Sequence, residues 1–572
     1  MNKKRIPSLS SNFADLISEN AYYVDKTPFI HNLENLNFKY LFFLRPRRFG
    51  KSLFLSMLQY YYGIQYKDQF EALFGEYFIG KPENRTKLQN FYQILRFDFS
   101  GISTQNSVQI RDSFNLRLNS GFREFYSNYG LLDEKILDNS EINLEPADYF
   151  LNLISIISSK NSGKKIYLMI DEYDHFTNEL FAFDTNHFVD IVSGNGWVRK
   201  FYEVIKQFMG SGLIDRFFAT GVTPVTLDSM TSGFNVARNI SLSEDFNNLA
   251  GFTETELRGL ITNTLDQNTG FDLEQIILDM RNWYNGSRFS PEGGDKLYNP
   301  QMVISFISDF SLKYAYPERM IDINVTSDFK KIANILRGLH KEERDSIIDQ
   351  VLSNETISEG LTIQYNFEKP FSKTDAVSLL FYNGLLTIVD SFSGLLTYVI
   401  PNYVIKQLYW EYFRSLKETE DNFSFDIAEI GFSLKEMSID GKIQRLVEYS
   451  QKVMNSISFR DLQNFNEKHL KMIFMTLLAG NSAYFVSSEL ETGPGYADIY
   501  LKRTKSNPGQ FDHLIELKYL RAAELNSLEN IKTKGIKQVI DYRDSLPEEI
   551  RSGLKTWLLL FHGKFEVVIV DV

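Results

Sequence analysis

The chain has 572 residues, 43% of them hydrophobic and 23% charged, with a formal net charge of -12. That balance excludes a disordered polymer, and it excludes a protein that coats nucleic acid through overall positive charge, though not one with a local basic channel. The chain has no cysteine, which rules out disulfides and thiolate metal sites, and its seven histidines never form the H-E-x-x-H of zinc proteases.

The length predicts about three to four domains, each able to bury an ordinary core. The opening MNKKRIPSLSSNF is basic but lacks the apolar core of a signal peptide. No apolar run approaches the ~20 residues that span a bilayer. A soluble cytoplasmic protein without membrane attachment is expected.

From the start to about residue 260, apolar runs that suit buried strands alternate with helical stretches, as in an α/β domain. KYLFFL and KKIYLMI are such runs, and DRFFATGVTPVTL predicts a further strand. From about 253 to 450 helical patterns dominate, as in FTETELRGLITNTL and YVIKQLYWEYFRSLKE. GLLTIVDSFSGLLTYVIPN interrupts them as a hairpin, and with the helix after it predicts a winged-helix-like unit whose aromatics are core. From about 455 onward a helix is followed by several strands, a helix and two more strands. There is no internal repeat and no low-complexity tract.

Two stretches of the first region carry phosphate chemistry. In RPRRFGKS, Gly50, Lys51 and Ser52 stand between a strand and a helix, in the order of a phosphate-binding loop. Such a loop works because backbone N–H groups and a helix N-terminus converge on the anion, while the lysine adds charge and the hydroxyl ligates Mg²⁺. The usual first glycine is replaced by Arg45, which would reach unusual backbone angles only at a cost, and Pro46 stiffens the loop. Arg45, Arg47 and Arg48 form a basic cluster from which one guanidinium would stabilise anionic oxygens. In KKIYLMIDEYDHF, a buried-type strand ends in Asp171, suited to hold Mg²⁺ beside Ser52, and Glu172, suited to polarise the attacking water. Thr220 and Thr223 end the next strand, where a polar side chain could sense the γ-phosphate.

YYVDKTPFI, RPRRFGKS, IDEYD and FFATGVTPV, together with GFTETEL, WYNGSRF, LYNP and LLFYNGLLTI, resemble the AAA-ATPase-like family of bacterial and mobile-element proteins. That family commonly ends in a PD-(D/E)XK nuclease-superfamily domain. The resemblance spans nearly the whole chain, and it makes RPRRFGKS the family's own phosphate loop. It implies ATP binding at Gly50, Lys51 and Ser52, with Asp171 and Glu172 opposite; the expected nucleotide-binding set is Arg45, Pro46, Arg47, Arg48, Phe49, Gly50, Lys51, Ser52, Asp171 and Thr220. By analogy alone, Tyr23, Asp25 and Lys26 lie near the adenine. DEYDHF departs from the family where a proline often follows the second aspartate, which leaves the turn open. Genome conflict, in mobile elements, defence or toxins, is the setting the resemblance implies.

The last region holds a second constellation. YADIYL and HLIELKYL read as paired strands joined by KRTKSNPGQ. Glu516 and Lys518 are two apart on one strand and share a face, while Leu517 turns to the core. With Asp498 on the neighbouring strand they form the PD-(D/E)XK pattern, written here G-x-x-D-x(17)-E-L-K from Gly495. Two carboxylates and the carbonyl of Leu517 suit Mg²⁺, with Mn²⁺ an alternative, and the lysine orients water. Upstream, NEKHLKMIFMTLLAG carries Glu467 at the position of an additional acidic ligand, and Glu489 and Glu491 are both compatible with one. Downstream, Gln538 and Tyr542 lie at i and i+4 on a helix and resemble the Q-x-x-x-Y motif that runs along the substrate strand in helicase-associated exonucleases.

The expected fold is α/β, with an AAA-like P-loop ATPase core over 1–252, a helical lid and winged-helix-like connector over 253–450, and a PD-(D/E)XK nuclease-like domain over 451–572. The expected function is ATP-controlled, Mg²⁺-dependent cleavage of nucleic acid, DNA ahead of RNA, with homo-oligomerisation left open. The alternative is a non-catalytic ATP-dependent switch whose nuclease-like domain only binds nucleic acid or a protein.

Overall fold

The computed structural model describes residues 3–131, 144–160, 163–183, 191, 196–225, 234, 236–317, 320, 327–353, 355–365, 370–420, 424–456, 465–478, 481, 483–493, 495–504, 507–563 and 565–572. Two compact units emerge. The first comprises Met1–Ser311, Asn334–Arg344 and Thr356–Asn402, and the second Leu312–Ala333, Asp345–Glu355 and Tyr403–Val572.

The first unit is built on a five-stranded sheet of β1 (Tyr40–Leu44), β2 (Gln93–Asp98), β3 (Ile166–Asp171), β4 (Ile214–Gly221) and β5 (Arg238–Asn239). All its pairings are parallel, and the strand order is β2-β3-β4-β1-β5. β3 is buried at every position, as a strand covered by helices on both faces must be. The helices Ser107–Tyr129, Pro146–Lys160 and Trp197–Gly210 supply apolar cover, with Phe114, Phe122, Phe150 and Phe201 in edge or tilted ring contacts among themselves and with Phe97 and Phe99. Because every strand runs the same way, the C-terminal ends of the adjacent β3, β4 and β1 open at one edge. That is where ligands bind in sheets of this kind.

The predicted strands KYLFFL and KKIYLMI are β1 and β3, and DRFFATG lies in β4, with the last two residues of that predicted stretch, 226 and 227, outside the described residues. The predicted hairpin is also present, as β7 (Thr387–Phe392) and β8 (Leu395–Val399). It joins β6 (Ile357–Glu359) in a three-stranded antiparallel sheet of order β6-β8-β7.

The second unit carries a mixed five-stranded sheet of order β13-β12-β11-β10-β9. Its strands are β9 (Tyr484–Thr492), β10 (Gly495–Arg503), β11 (Asp512–Leu520), β12 (Leu554–His562) and β13 (Glu566–Asp571). β11 and β12 are parallel and therefore need a crossover, which the helix Leu528–Ser545 provides. Val539 and Tyr542 of that helix pack with Ala497, Tyr500, Leu514 and Leu558 of the sheet. The order of helix, strands, helix and two strands matches the sequence expectation. No described helix is long and apolar enough to cross a membrane.

Candidate active sites

The segment Arg45 to Gly50 leaves the end of β1 and enters the helix Lys51–Tyr62. Gly50 is the N-cap, with φ +93°, and as a glycine it supplies no side-chain cap, so the first-turn N–H groups can serve water or an anion. A Cβ at Gly50 would meet nothing within 4 Å, so the left-handed backbone and not crowding demands glycine. The other left-handed residue of the loop is Arg48, with φ +70°. The expectation that Arg45 bears the backbone cost is therefore corrected: the cost falls at Arg48.

Arg45 also differs from the expected phosphate cation. It is 1% exposed, and its Nη1 donates to the carbonyls of Leu44 (2.8 Å) and Ser241 (2.7 Å). Its Nη2 donates to those of Phe246 (2.9 Å) and Asn247 (3.3 Å). The guanidinium also lies over the rings of Phe43 and Phe289, at 4.5 and 4.3 Å from their centroids. Burial pulls it down to about 9 from an ordinary 12.5. Arg45 thus ties the end of β1 to the 241–247 segment, and its charge is spent on carbonyl dipoles and aromatic faces.

Lys51 is buried, and its Nζ donates to the carbonyl of Pro46 at 3.1 Å, which curls the loop around the ammonium. Phe49 is buried edge-on to Phe289, and its carbonyl accepts from the N–H of Gly251 at 3.0 Å. Arg48, Phe49, Gly50, Lys51, Ser52 and Glu172 all line one pocket of about 220 Å³. Tyr23 and Lys26 line it too, but Asp25 is occupied as a cap, accepting from the N–H groups of Thr27 (2.9 Å) and Phe78 (2.8 Å).

Asp171 is nearly fully buried at the end of β3. It accepts from Thr220 Oγ1 at 2.6 Å and hydrogen-bonds Ser52, with Arg96 Nη2 at 3.6 Å. Burial raises its carboxyl above the usual range, while those three partners pull the other way. The donor set, one ionisable carboxylate beside the Ser52 hydroxyl, fits Mg²⁺, which binds one or two carboxylates together with substrate phosphates.

Glu172 has φ +53° and turns its side chain toward His175, whose Nδ1 is 3.3 Å from Glu172 Oε2. The other ring nitrogen, Nε2, is 3.3 Å from Glu179 Oε1. Those two contacts, led by Glu172, hold the imidazole protonated and push it up to about 9. Arg47 Nη2 also reaches that Nδ1, at 3.0 Å, and since a guanidinium only donates, this hydrogen bond forms when Nδ1 carries no proton and competes with the Glu172 contact. Burial would raise Glu172, but the His175 bond and the charges of Lys51, His175 and Arg47 outweigh it and hold it at about 2. Thr223 does not reach toward phosphate. It donates to Asn178 Oδ1 at 2.5 Å, and its N–H donates to Asp174 at 2.6 Å. Asp174 is fully buried and also accepts from the N–H of Val222 (3.0 Å) and Asn178 Nδ2 (2.6 Å), which pins the turn after β3 to the end of β4. His175, Arg96, Asp174 and Asn178 were not singled out from sequence, although Glu172 and His175 stand at i and i+3 at a helix start, where such pairs meet.

In the second unit β11 places Glu516 and Lys518 on one face, with Lys518 Nζ donating to Glu516 Oε1 at 2.8 Å. Asp498 on β10 accepts from the N–H of Leu517 at 2.8 Å, which brings it beside them. Glu467 opens the helix Glu467–Leu478, accepts from the N–H of Tyr519 at 3.4 Å, and stands 3.9 Å from Lys518 Nζ. Glu516 is buried, and its Oε2 has no hydrogen-bond partner. Burial first, then the charge of Asp498, pushes its carboxyl up to about 7. Burial presses Lys518 down, but Glu516, Glu467 and Asp498 outweigh it and hold the ammonium above its ordinary range. A buried carboxylate oxygen without a partner, beside a second carboxylate, fits a divalent cation. Among the described residues no group of three or more His, Asp or Glu side chains is arranged to hold a metal, so water and substrate phosphate would complete the shell.

Gln538 and Tyr542 meet as their spacing predicts, the amide donating to the phenol, and Tyr542 feels the charges of Glu516, Lys518 and Asp498. Gly495 makes room for that ring: a Cβ there would come within 3.2 Å of Tyr542 Oη. The side chains of Glu489 and Glu491 lie outside the described residues.

The family model described as a predicted AAA-ATPase matches residues 9–231, and that of the PD-(D/E)XK nuclease superfamily matches residues 465–570. An uncharacterized protein in the vnfD 5' region of Azotobacter chroococcum mcd 1 is 29% identical over 307 residues, which cover 52% of this chain and 51% of that one. The match thus spans about half the length of the curated relative. The loop, Asp171 and Thr220 fall inside the first matched range, and Glu467 to Tyr542 inside the second. The chain therefore carries an AAA-ATPase-like domain and, C-terminal to it, a domain of the PD-(D/E)XK nuclease superfamily.

Proposed function

We propose that this protein binds and hydrolyses ATP with Mg²⁺ at the edge of the first sheet, and cleaves nucleic-acid phosphodiester bonds at the Asp498–Glu516–Lys518 site under control of the ATPase module. In this reading 1–252 is the ATPase core, 253–450 the connector and 451–572 the nuclease domain. The observation that carries it is Glu516: a buried carboxylate whose Oε2 lacks a partner, bonded through Oε1 to Lys518. Such an arrangement is costly for a fold and useful for holding a cation. A bound divalent metal supplies charge stabilisation on phosphate and a more acidic water. Asp498 and Glu516 would hold it, Lys518 orients the attacking water, and Gln538 and Tyr542 border the substrate strand. At the nucleotide site the N–H groups of the helix start after Gly50, the Lys51 ammonium and the Ser52 hydroxyl receive phosphates, and Glu172, once released from His175, polarises the attacking water.

One observation favours a switch over a motor. Glu172 is held at about 2 and engaged with His175, which leaves it a weak base, so hydrolysis would be slow until that contact opens. The test is incubation of the full chain with plasmid, linear duplex, single-stranded DNA and RNA, in Mg²⁺, Mn²⁺ or EDTA, with and without ATP. Metal-dependent cleavage that Asp498→Asn abolishes is the expected result. If the wild type cuts nothing under any condition, the nuclease reading gives way to the binding-only switch.

A further inference from the structure

Arg96 lies on β2, the neighbour of β3, in a position that the nucleotide reading does not use. Its Nη2 is 3.6 Å from Asp171 Oδ2 and its Nη1 donates to Gln59 Oε1 at 2.8 Å. Gln59 belongs to the same helix as Lys51 and Ser52, so one guanidinium joins the proposed metal carboxylate to the helix that would bind phosphate. Arg96 also lines a polar cleft of about 350 Å³, together with Gln59, Asp98, Arg117 and Glu124. Asp98 and Glu124 are exposed carboxylates.

Two cations on one carboxylate repel each other, and each weakens the other's hold on it. That repulsion falls off only in inverse proportion to distance, and a doubly charged ion doubles it. Metal-free, the guanidinium neutralises Asp171 and lowers its repulsion of incoming phosphates. Metal-loaded, the same guanidinium opposes the cation. The cleft gives it room to move away from Asp171, with Asp98 and Glu124 to receive it and Arg117 as the opposing charge in that lining. Resting on the nucleotide reading above, we infer that Arg96 is a displaceable counter-ion of Asp171: it holds the carboxylate while metal is absent and swings into the cleft when Mg²⁺ arrives with nucleotide. Arg96 is a positioning residue here, since it acts through Asp171.

The test compares ATP affinity in Mg²⁺ with ATP affinity in EDTA, by calorimetry on the full chain. Arg96→Met should weaken metal-free ATP binding by roughly tenfold and leave Mg²⁺-dependent binding equal or tighter, so the gain from Mg²⁺ widens by about that factor. Arg96→Lys should restore the wild-type ratio. If Arg96→Met loses both affinities equally, or neither, the inference is wrong and Arg96 is only structural. A measurement on the wild type covers the case of a variant that does not fold. Phenylglyoxal modification of Arg96, read by mass spectrometry, should be several-fold faster with Mg²⁺ and ATP than with ATP in EDTA, and equal or slower modification overturns the displacement. A wild type that binds no ATP in either buffer removes the nucleotide reading itself, and this inference with it.

Discussion

His513 gives the sharpest stability prediction. It is fully buried on β11, three residues before Glu516, with Nε2 donating to the carbonyl of Met437 at 2.9 Å and Nδ1 accepting from Trp557 Nε1 at 3.0 Å. Only the neutral ring satisfies both bonds, because a proton on Nδ1 would face the indole N–H. Burial pushes it down to about 4 from an ordinary 6.5. At 1.36 kcal/mol for each tenfold change in proton affinity, that gap is worth about 3 kcal/mol. For the sign, the unfolded chain takes up a proton between pH 6.5 and about 4 that the folded chain refuses. Stability is therefore full above pH 6.5, falls as pH drops toward 4, and levels off below. The assay is urea unfolding from pH 7.5 to 4, read by hydrogen exchange of the β11 and β12 peptides, with His513→Gln as the non-titrating partner. Carboxylates contribute equally to both proteins, so the wild-type advantage should shrink by about 3 kcal/mol across the window. A difference that stays constant from pH 7.5 to 4 would refute the buried neutral histidine.

Lys51→Ala should weaken ATP binding by about 1.5–3 kcal/mol, the worth of a charged hydrogen bond to a buried anion, measured by calorimetry on a folded variant. Asp174→Ala strands the N–H groups of Val222 and Thr223 and should cost about 3 kcal/mol of first-unit stability, read as a lower urea midpoint. Lys518→Ala should leave Mn²⁺ binding close to wild type by calorimetry while slowing cleavage by about 10²–10⁴-fold, whereas Glu516→Gln should lower both. Equal losses of metal affinity in those two variants would place Lys518 in a purely structural role.

The order of chemistry along the chain was legible without coordinates because it is local. A strand, a turn carrying Gly50-Lys51-Ser52 and a helix are contiguous, and strand alternation alone puts Glu516 and Lys518 on one face. The i, i+4 spacing of Gln538 and Tyr542 likewise foretold their contact. Arg45 was misread because every partner that turns it from a phosphate cation into a structural tie, apart from the Leu44 carbonyl and the Phe43 ring, lies far away in sequence, at Ser241, Phe246, Asn247 and Phe289. Thr223 was open to the same error, since Asp174 and Asn178 claim it across about 50 residues.

What the chain alone determined is therefore its inventory and its local geometry: which side chains carry charge, which stretches bury, and which neighbours share a face. Hydrophobic period and loop chemistry act over a few residues, so they can be read there. What only the tertiary structure decided is which of those charges are spent. Parallel order put Asp171 between Arg96 and Thr220, and the turn of one residue at φ +53° delivered Glu172 to His175. Burial then raised Glu516 and lowered His513 on the same strand, in opposite senses, because removal from water penalises whichever form carries charge.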